Sequence, residues 1–211
     1  AEANRLKMTV EREKWDLLQK FVISVSHDFR TSLSNIETNR YLIERALKPE
    51  QRETLSPRMD VIRKQVIRLN EQLENLQFMT SLKASRTVPV NIASIACQVV
   101  NDLALAALEK QVKIVTQIES ESSLVNGDSE YLYRAMRHLV SNAISASNRG
   151  GQIEVALKQA QGSVIVQTHN GGPQILPADL ERIFEPFYRI DDARQISKGG
   201  IGIGLTLVKM V

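Results

Sequence analysis

All ten glycines of this 211-residue chain lie at or after Gly127. A long stretch without the residue that supplies left-handed turns cannot hold many tight reversals, so it must fold as long regular elements. The remainder, with glycines singly and in pairs, can build hairpins and bring backbone close to a ligand. Charge divides the chain in the same way: residues 1–87 carry 16 basic and 12 acidic side chains, residues 88–211 carry 11 and 12. Residues 84–89 (ASRTVP) have no helical period and end in proline, which places a boundary between segments 1–84 and 88–211.

The first segment reads as two long helices. Val22, Val25, Phe29, Ile36 and Ile43 follow the seven-residue rhythm of a coiled-coil seam, interrupted at Ser32. Met59, Ile62, Val66, Leu69, Leu73 and Leu76 alternate spacings of three and four. Between them lies LKPEQRETLSP, in which Ser56 as N-cap and Pro57 as first helical residue predict the start of the second helix. Ile23, Leu33, Val61, Ile67 and Phe78 widen the apolar faces beyond what one antiparallel hairpin covers. Two hairpins pairing as a four-helix bundle, a homodimer, are therefore expected.

In the second segment Asn91 caps a helix to about Leu108, VKIVTQI reads as a strand, and Leu124-Val125 lead into Gly127-Asp128. A helix is expected over 129–147, a hairpin from QIEVALKQ and SVIVQTH, a short helix near 178–183 and a last helix from about Gly202. This order predicts helices packed on one face of a sheet, and the whole chain is α+β: a helical hairpin followed by an α/β sandwich. At 43% hydrophobic and 24% charged residues, disorder is excluded. No apolar run is expected to reach the length of a membrane span. The single cysteine, Cys97, rules out an internal disulfide framework, and in the string IACQVV it reads as a buried small hydrophobe. A net charge of +3 is too small and dispersed to indicate nucleic acid.

His27 is the residue in the first segment that packing does not explain. With Val22 and Phe29 at position a and Val25 at d, His27 falls at f, pointing away from the seam. Arg30 and Thr31 lie one turn on, on the same face, and Asp28 is adjacent, so its side chain must swing to reach the ring. A neutral imidazole has a ring nitrogen able to attack phosphorus, and a carboxylate on the other nitrogen fixes the tautomer and stabilises the cation that forms.

Ser26-His27-Asp28-Phe29-Arg30-Thr31-Ser32-Leu33 resembles the H-box of the sensor histidine kinases of two-component systems. Four further blocks similar to that family follow in order. Residues 137–143 (RHLVSNA) resemble the N-box, and 170–175 (NGGPQI) with 177–180 (PADL) the first glycine box. Residues 184–189 (FEPFYR) resemble the F-box, and 200–205 (GIGIGL) the second glycine box.

The resemblance implies a dimerisation and phosphoacceptor hairpin, then an ATP-binding domain of the kind shared with Hsp90 and MutL. It implies His27 as phosphoacceptor, Asp28 as base or orienting group, and Thr31 as the residue that positions water for a phosphatase reaction. It implies Mg²⁺ held by Asn142 and ATP held by His138, Asn142, Asn170, Gly172, Ile175, Phe184, Lys198, Gly200, Gly202, Gly204 and Leu205. Asn170 would read the adenine amine, with His169 the next candidate, and residues 190–199 would form the lid. The implied reaction is autophosphorylation from ATP, followed by transfer to an aspartate on the receiver domain of a response regulator. The implied setting is the cytoplasmic part of an inner-membrane sensor, with residues 1–20 as an incoming signalling helix and the membrane reached only through an N-terminal sensor part. The family's domain continues for two more strands, so segment 88–211 is expected to be incomplete at its C-terminus.

Several positions depart from the family pattern. Asn170 stands for the usual aspartate, Gln174 for a glycine, and His138 for the first asparagine of the N-box. Ser145 stands where a basic residue is common, and Ser32 where proline is usual. His138, Gln174 and Asn170 favour the alternative reading, a dimeric signalling scaffold that has lost catalysis.

Overall fold

The computed structural model describes residues 2–81, 87–118, 123–160, 162–190 and 202–211. The chain divides into two units, Ala1–Lys83 and Ala84–Val211.

The first unit is a hairpin of two helices, α1 (Glu2–Ala46) and α2 (Pro49–Ser81). The second helix starts eight residues before the expected Ser56-Pro57 cap, and Pro57 lies inside it. The first proline, Pro49, takes the first helical position instead. The Lys48 N–H donates to Gln51 Oε1 at 3.2 Å, so a side chain three residues into the helix satisfies an amide at its entrance. Arg52 N–H then donates to Lys48 O at 2.9 Å and starts the helical ladder.

The hairpin closes on Val22, Ser26, Leu33 and Arg40 of α1 and on Val66 and Phe78 of α2, all buried. This corrects the expected seam. Phe29, Ile36 and Ile43 keep a strict seven-residue repeat but are 56%, 47% and 47% exposed. The chain thus carries two parallel stripes on α1, and the more hydrophobic one is not the one the hairpin covers. Arg40 hides within the inner stripe because carboxylates one turn to either side satisfy it. It donates to Glu37 at 2.6 and 2.9 Å and to Glu44 at 2.6 Å. Its guanidinium holds the Glu37 carboxyl below the usual range, the hydrogen bond contributing most.

In the second unit β1 (Val88–Asn91) pairs antiparallel with β3 (Leu124–Gly127). A three-stranded sheet runs in the order β2 (Lys113–Ile118), β4 (Gln152–Ala160), β5 (Ser163–Asn170), with β2 parallel to β4 and β5 antiparallel to it. Helices α3 (Ile92–Glu109) and α4 (Ser129–Ala146) cover one face. Val99, Val140, Ile153, Val155 and Leu157 meet there, shut off from solvent. Both helices begin as their sequences direct. Asn91 Oδ1 accepts from the N–H groups of Ala93 and Ser94, and Asp128 Oδ1 from those of Glu130 and Tyr131. Helix α5 (Gly204–Met210) packs on α4.

Four expectations are corrected here. Helix α3 is long and apolar enough to cross a membrane by length and composition, contrary to the reading that no run is. It is nonetheless a core helix, burying Ile95, Ala96, Val99, Leu103 and Ala107 against the sheet. Cys97 is exposed, because Ala96 faces the core and the next residue turns about 100° away. The helix expected near 178–183 is a series of turns ending in one 3₁₀ turn, Arg182–Phe184, and α5 starts two residues later than expected, at Gly204. Pro89 lies within β1 opposite Asn126. That strand pairs on one side only, so the missing N–H breaks no inner ladder.

Candidate functional site

On the hairpin, the His27 side chain is 77% exposed, as its distance from the seam requires. Asp28 Oδ1 lies 3.6 Å from His27 Nδ1, within ion-pair range but longer than a hydrogen bond. The Thr31 hydroxyl donates to the carbonyl of His27 at 3.1 Å and the Ser32 hydroxyl to that of Asp28 at 3.0 Å. Arg30 reaches across to α2 and donates to Gln77 Oε1 at 2.9 Å. An exposed imidazole beside a carboxylate, on a helix too regular to shift it, can present one nitrogen outward and keep a proton on the other.

On the second unit, blocks separated by up to 65 residues meet around the end of α4. Gly172 runs so close to that end that a Cβ would lie 2.4 Å from Ala146 O and 2.9 Å from Asn170 Nδ2. The Asn148 N–H donates to Gly171 O at 3.3 Å and ties the same loop to α4. At Gly204 a Cβ would lie 3.2 Å from His138 Nδ1, so the imidazole packs against the first turn of α5. Gly202 has φ +77°, and a Cβ there would sit 2.6 Å from Tyr188 O. Its carbonyl accepts from the Phe187 N–H at 3.0 Å, and Phe187 itself has φ +67°. The Lys209 ammonium lies 5.8 Å from the Phe184 ring.

A second group holds the 179–188 turn in place. The Tyr188 hydroxyl donates to Asp179 Oδ1 at 2.5 Å, which raises the Tyr188 pKa, and Arg182 stacks on the Tyr188 ring at 4.2 Å. Sequence spacing gave no sign of this group, because nine residues of irregular chain separate the acid from the phenol.

The structure therefore brings together Asn170, Gly172, His138, Phe184, Gly202 and Gly204. Asn142 is exposed on α4 and shares a face with His138, four residues earlier. Ile175 is exposed on the first glycine loop, and Leu205 is half-buried in α5. Lys198 and Gly200 lie outside the described residues. His169 is set aside as adenine reader. Along β5, Val164, Val166, Thr168 and Asn170 face the core, and Ile165, Gln167 and His169 face away. Burial, with Arg137 and Arg134 close by, lowers the His138 pKa to about 4, so its imidazole is neutral at neutral pH.

These walls fit a nucleotide with a divalent cation. A loop that only glycine can occupy lets backbone approach a flat base or a phosphate, as Gly172 and Gly202 do. An exposed amide oxygen at Asn142 suits a hard cation that takes most of its other ligands from phosphates and water.

Residues 127–211 match the family described as histidine kinase-, DNA gyrase B- and HSP90-like ATPase. The sensor protein IrlS of Burkholderia pseudomallei is 30% identical over 207 residues, covering 94% of this chain and 43% of its own length. The chain spans about half the length of the curated relatives it matches. Among solved structures, full-length ShkA in complex with AMPPNP superposes with a TM-score of 0.71 at 24% identity, over 90% of this chain and 40% of that one. The histidine kinase ThkA in complex with the response regulator TrrA gives 0.60 at 20% identity, over 90% and 56%. Both structures share the fold. Hairpin, ATPase domain and ordered motifs together place the chain in the sensor histidine kinase family, with an ATP-binding domain of the GHKL type.

Proposed function

We propose that this chain is the kinase core of a two-component sensor, transferring the γ-phosphoryl of ATP to His27 and then to an aspartate on a receiver domain. The observation that carries this reading is the exposed His27 imidazole with Asp28 3.6 Å from Nδ1, on a chain that also bears an ATPase domain. In the forward step Nε2 attacks phosphorus in line, the N–P bond forms, the bond to the bridging oxygen breaks and ADP leaves. Asp28 holds the proton on Nδ1 and stabilises the imidazolium. Asn170 reads the adenine amine with its amide carbonyl, and Gly172 and Ile175 border the base. Gly200, Gly202, Gly204, Leu205 and Lys198 receive the phosphates, and Phe184 closes the wall beside Lys209. Asn142 would hold Mg²⁺, which would supply charge neutralisation at the phosphates. Thr31 positions water for removal of the phosphoryl group from the regulator, once its hydroxyl leaves the His27 carbonyl.

The partners are a second copy, through the exposed apolar stripe of α1, and a receiver domain, in the manner that the ThkA complex supports. The chain would serve as the cytoplasmic portion of a membrane sensor, as the sensor names of its relatives suggest. A dimeric scaffold without catalysis is the second reading, favoured by His138, Gln174 and Asn170. Incubation with γ-labelled ATP and Mg²⁺ separates the two: acid-labile label is expected on the protein and none on His27→Ala, which should still dimerise and bind nucleotide. Label on His27→Ala would identify another acceptor, and no label on the parent would favour the scaffold.

A further inference from the structure

His138 and Asn142 lie four residues apart on α4, so their Cβ atoms stack on one face about 5–6 Å apart. This is the spacing at which a helix offers two ligands to one metal ion. The imidazole is wedged between α4 and the start of α5, against Gly204, while the Asn142 amide reaches solvent. One imidazole nitrogen can be held by the protein while the other ligates, which is the usual condition of a metal-bound histidine. The amide oxygen alone is a hard ligand suited to Mg²⁺. An added imidazole nitrogen moves the site toward first-row transition ions, whose affinity for nitrogen exceeds that of Mg²⁺.

We propose that His138 and Asn142 jointly hold the cation of the nucleotide complex and make this site select a first-row transition dication over Mg²⁺. The proposal rests on the reading of the second unit as an ATP site. Arg134 and Arg137 lie near the ring and repel a bare dication, so the ion enters with the phosphates that offset them.

The experiment uses the full chain with Mn²⁺ as the transition-ion probe. Calorimetry of ATP binding in Mn²⁺ and in Mg²⁺ is expected to show a preference for Mn²⁺ of about tenfold, comparable to the loss when a metal-site partner is removed. His138→Asn should bring the two affinities close together, chiefly by improving binding in Mg²⁺. Electron spin echoes of the Mn²⁺–nucleotide complex should show modulation from a directly bound imidazole ¹⁴N, absent in His138→Asn and His138→Gln. Equal affinities and no ¹⁴N modulation in the parent, with nucleotide still bound, would overturn the proposal and leave the ATP site standing. A loss of affinity in His138→Asn that is the same in both ions would assign the ring to a phosphate and also overturn it. No nucleotide binding with either ion would sink the ATP-site reading itself. Should the variants not fold, the echo signal of the parent decides alone.

Discussion

His138 is neutral in the folded chain down to a pKa of about 4, whereas an unfolded histidine takes up its proton near 6.5. Between those values the unfolded state binds more protons than the folded state, so stability falls as pH drops from about 6.5 to about 4 and levels off below. The loss should be on the order of 2–3 kcal/mol, with the partial exposure of the ring reducing it. Urea unfolding across that range should show the slope in the parent and a shallower one in His138→Asn, and equal slopes would remove His138 from the account. The neutral ring was not legible in the sequence, because it depends on α5 folding back over α4. Asn170 was placed from its distance to Phe184, and β5 puts it on the half-buried, core-facing side of the strand; its role as adenine reader is a proposal. Asn170→Asp should tighten ATP by about 1 kcal/mol, because a charged acceptor strengthens the bond to the adenine amine while burial takes back part of the gain. It should also discriminate more sharply against GTP, whose base offers a carbonyl at that place. Calorimetry with both nucleotides checks this, and no change in either would mean that another residue reads the base.

Helix α3 was readable from its cap, since Asn91 accepts two backbone N–H groups as its position implies, and Asp128 caps α4 in the same way although its role was not read from the sequence. The start of α2 was misread. Two prolines eight residues apart both satisfy the geometry of a first helical turn, and only the bond from the Lys48 N–H to Gln51 distinguishes them. Pro57 is consequently an interior proline, which removes one helical hydrogen bond and crowds the carbonyl four residues earlier. Pro57→Ala should restore that bond and stabilise the hairpin by about 1–3 kcal/mol. Thermal unfolding of the full chain would show a higher midpoint. An unchanged or lower midpoint would mean that α2 has already relaxed around the ring. The expected helix at 178–183 failed for a different reason: Tyr188, Asp179 and Arg182 pull that stretch into turns, and contacts across nine residues leave no periodic trace.

In the first unit, Phe29, Ile36 and Ile43 of α1 stay exposed although they keep a seven-residue apolar repeat, and Val61 and Ile62 of α2 stay exposed as well. We propose that a second copy docks on this surface. Ile36→Asp should therefore dissociate a homodimer without unfolding the hairpin, whose own contacts run through Leu33, Arg40 and Phe78. Sedimentation velocity and circular dichroism together would test this, and a variant that remains dimeric would place the interface elsewhere. The seven-residue rhythm thus identified the outer stripe, and the inner one escaped notice because Ser26 and Arg40 disguise it. The link between Phe187 and Gly202 has a consequence for how such a chain diversifies. Two left-handed residues joined by a backbone hydrogen bond act as a buckle that fixes the F-box turn to the entrance of α5. The buckle itself cannot drift: a side chain at Gly202 would strike the Tyr188 carbonyl, so any other residue there would have to undo the link to Phe187.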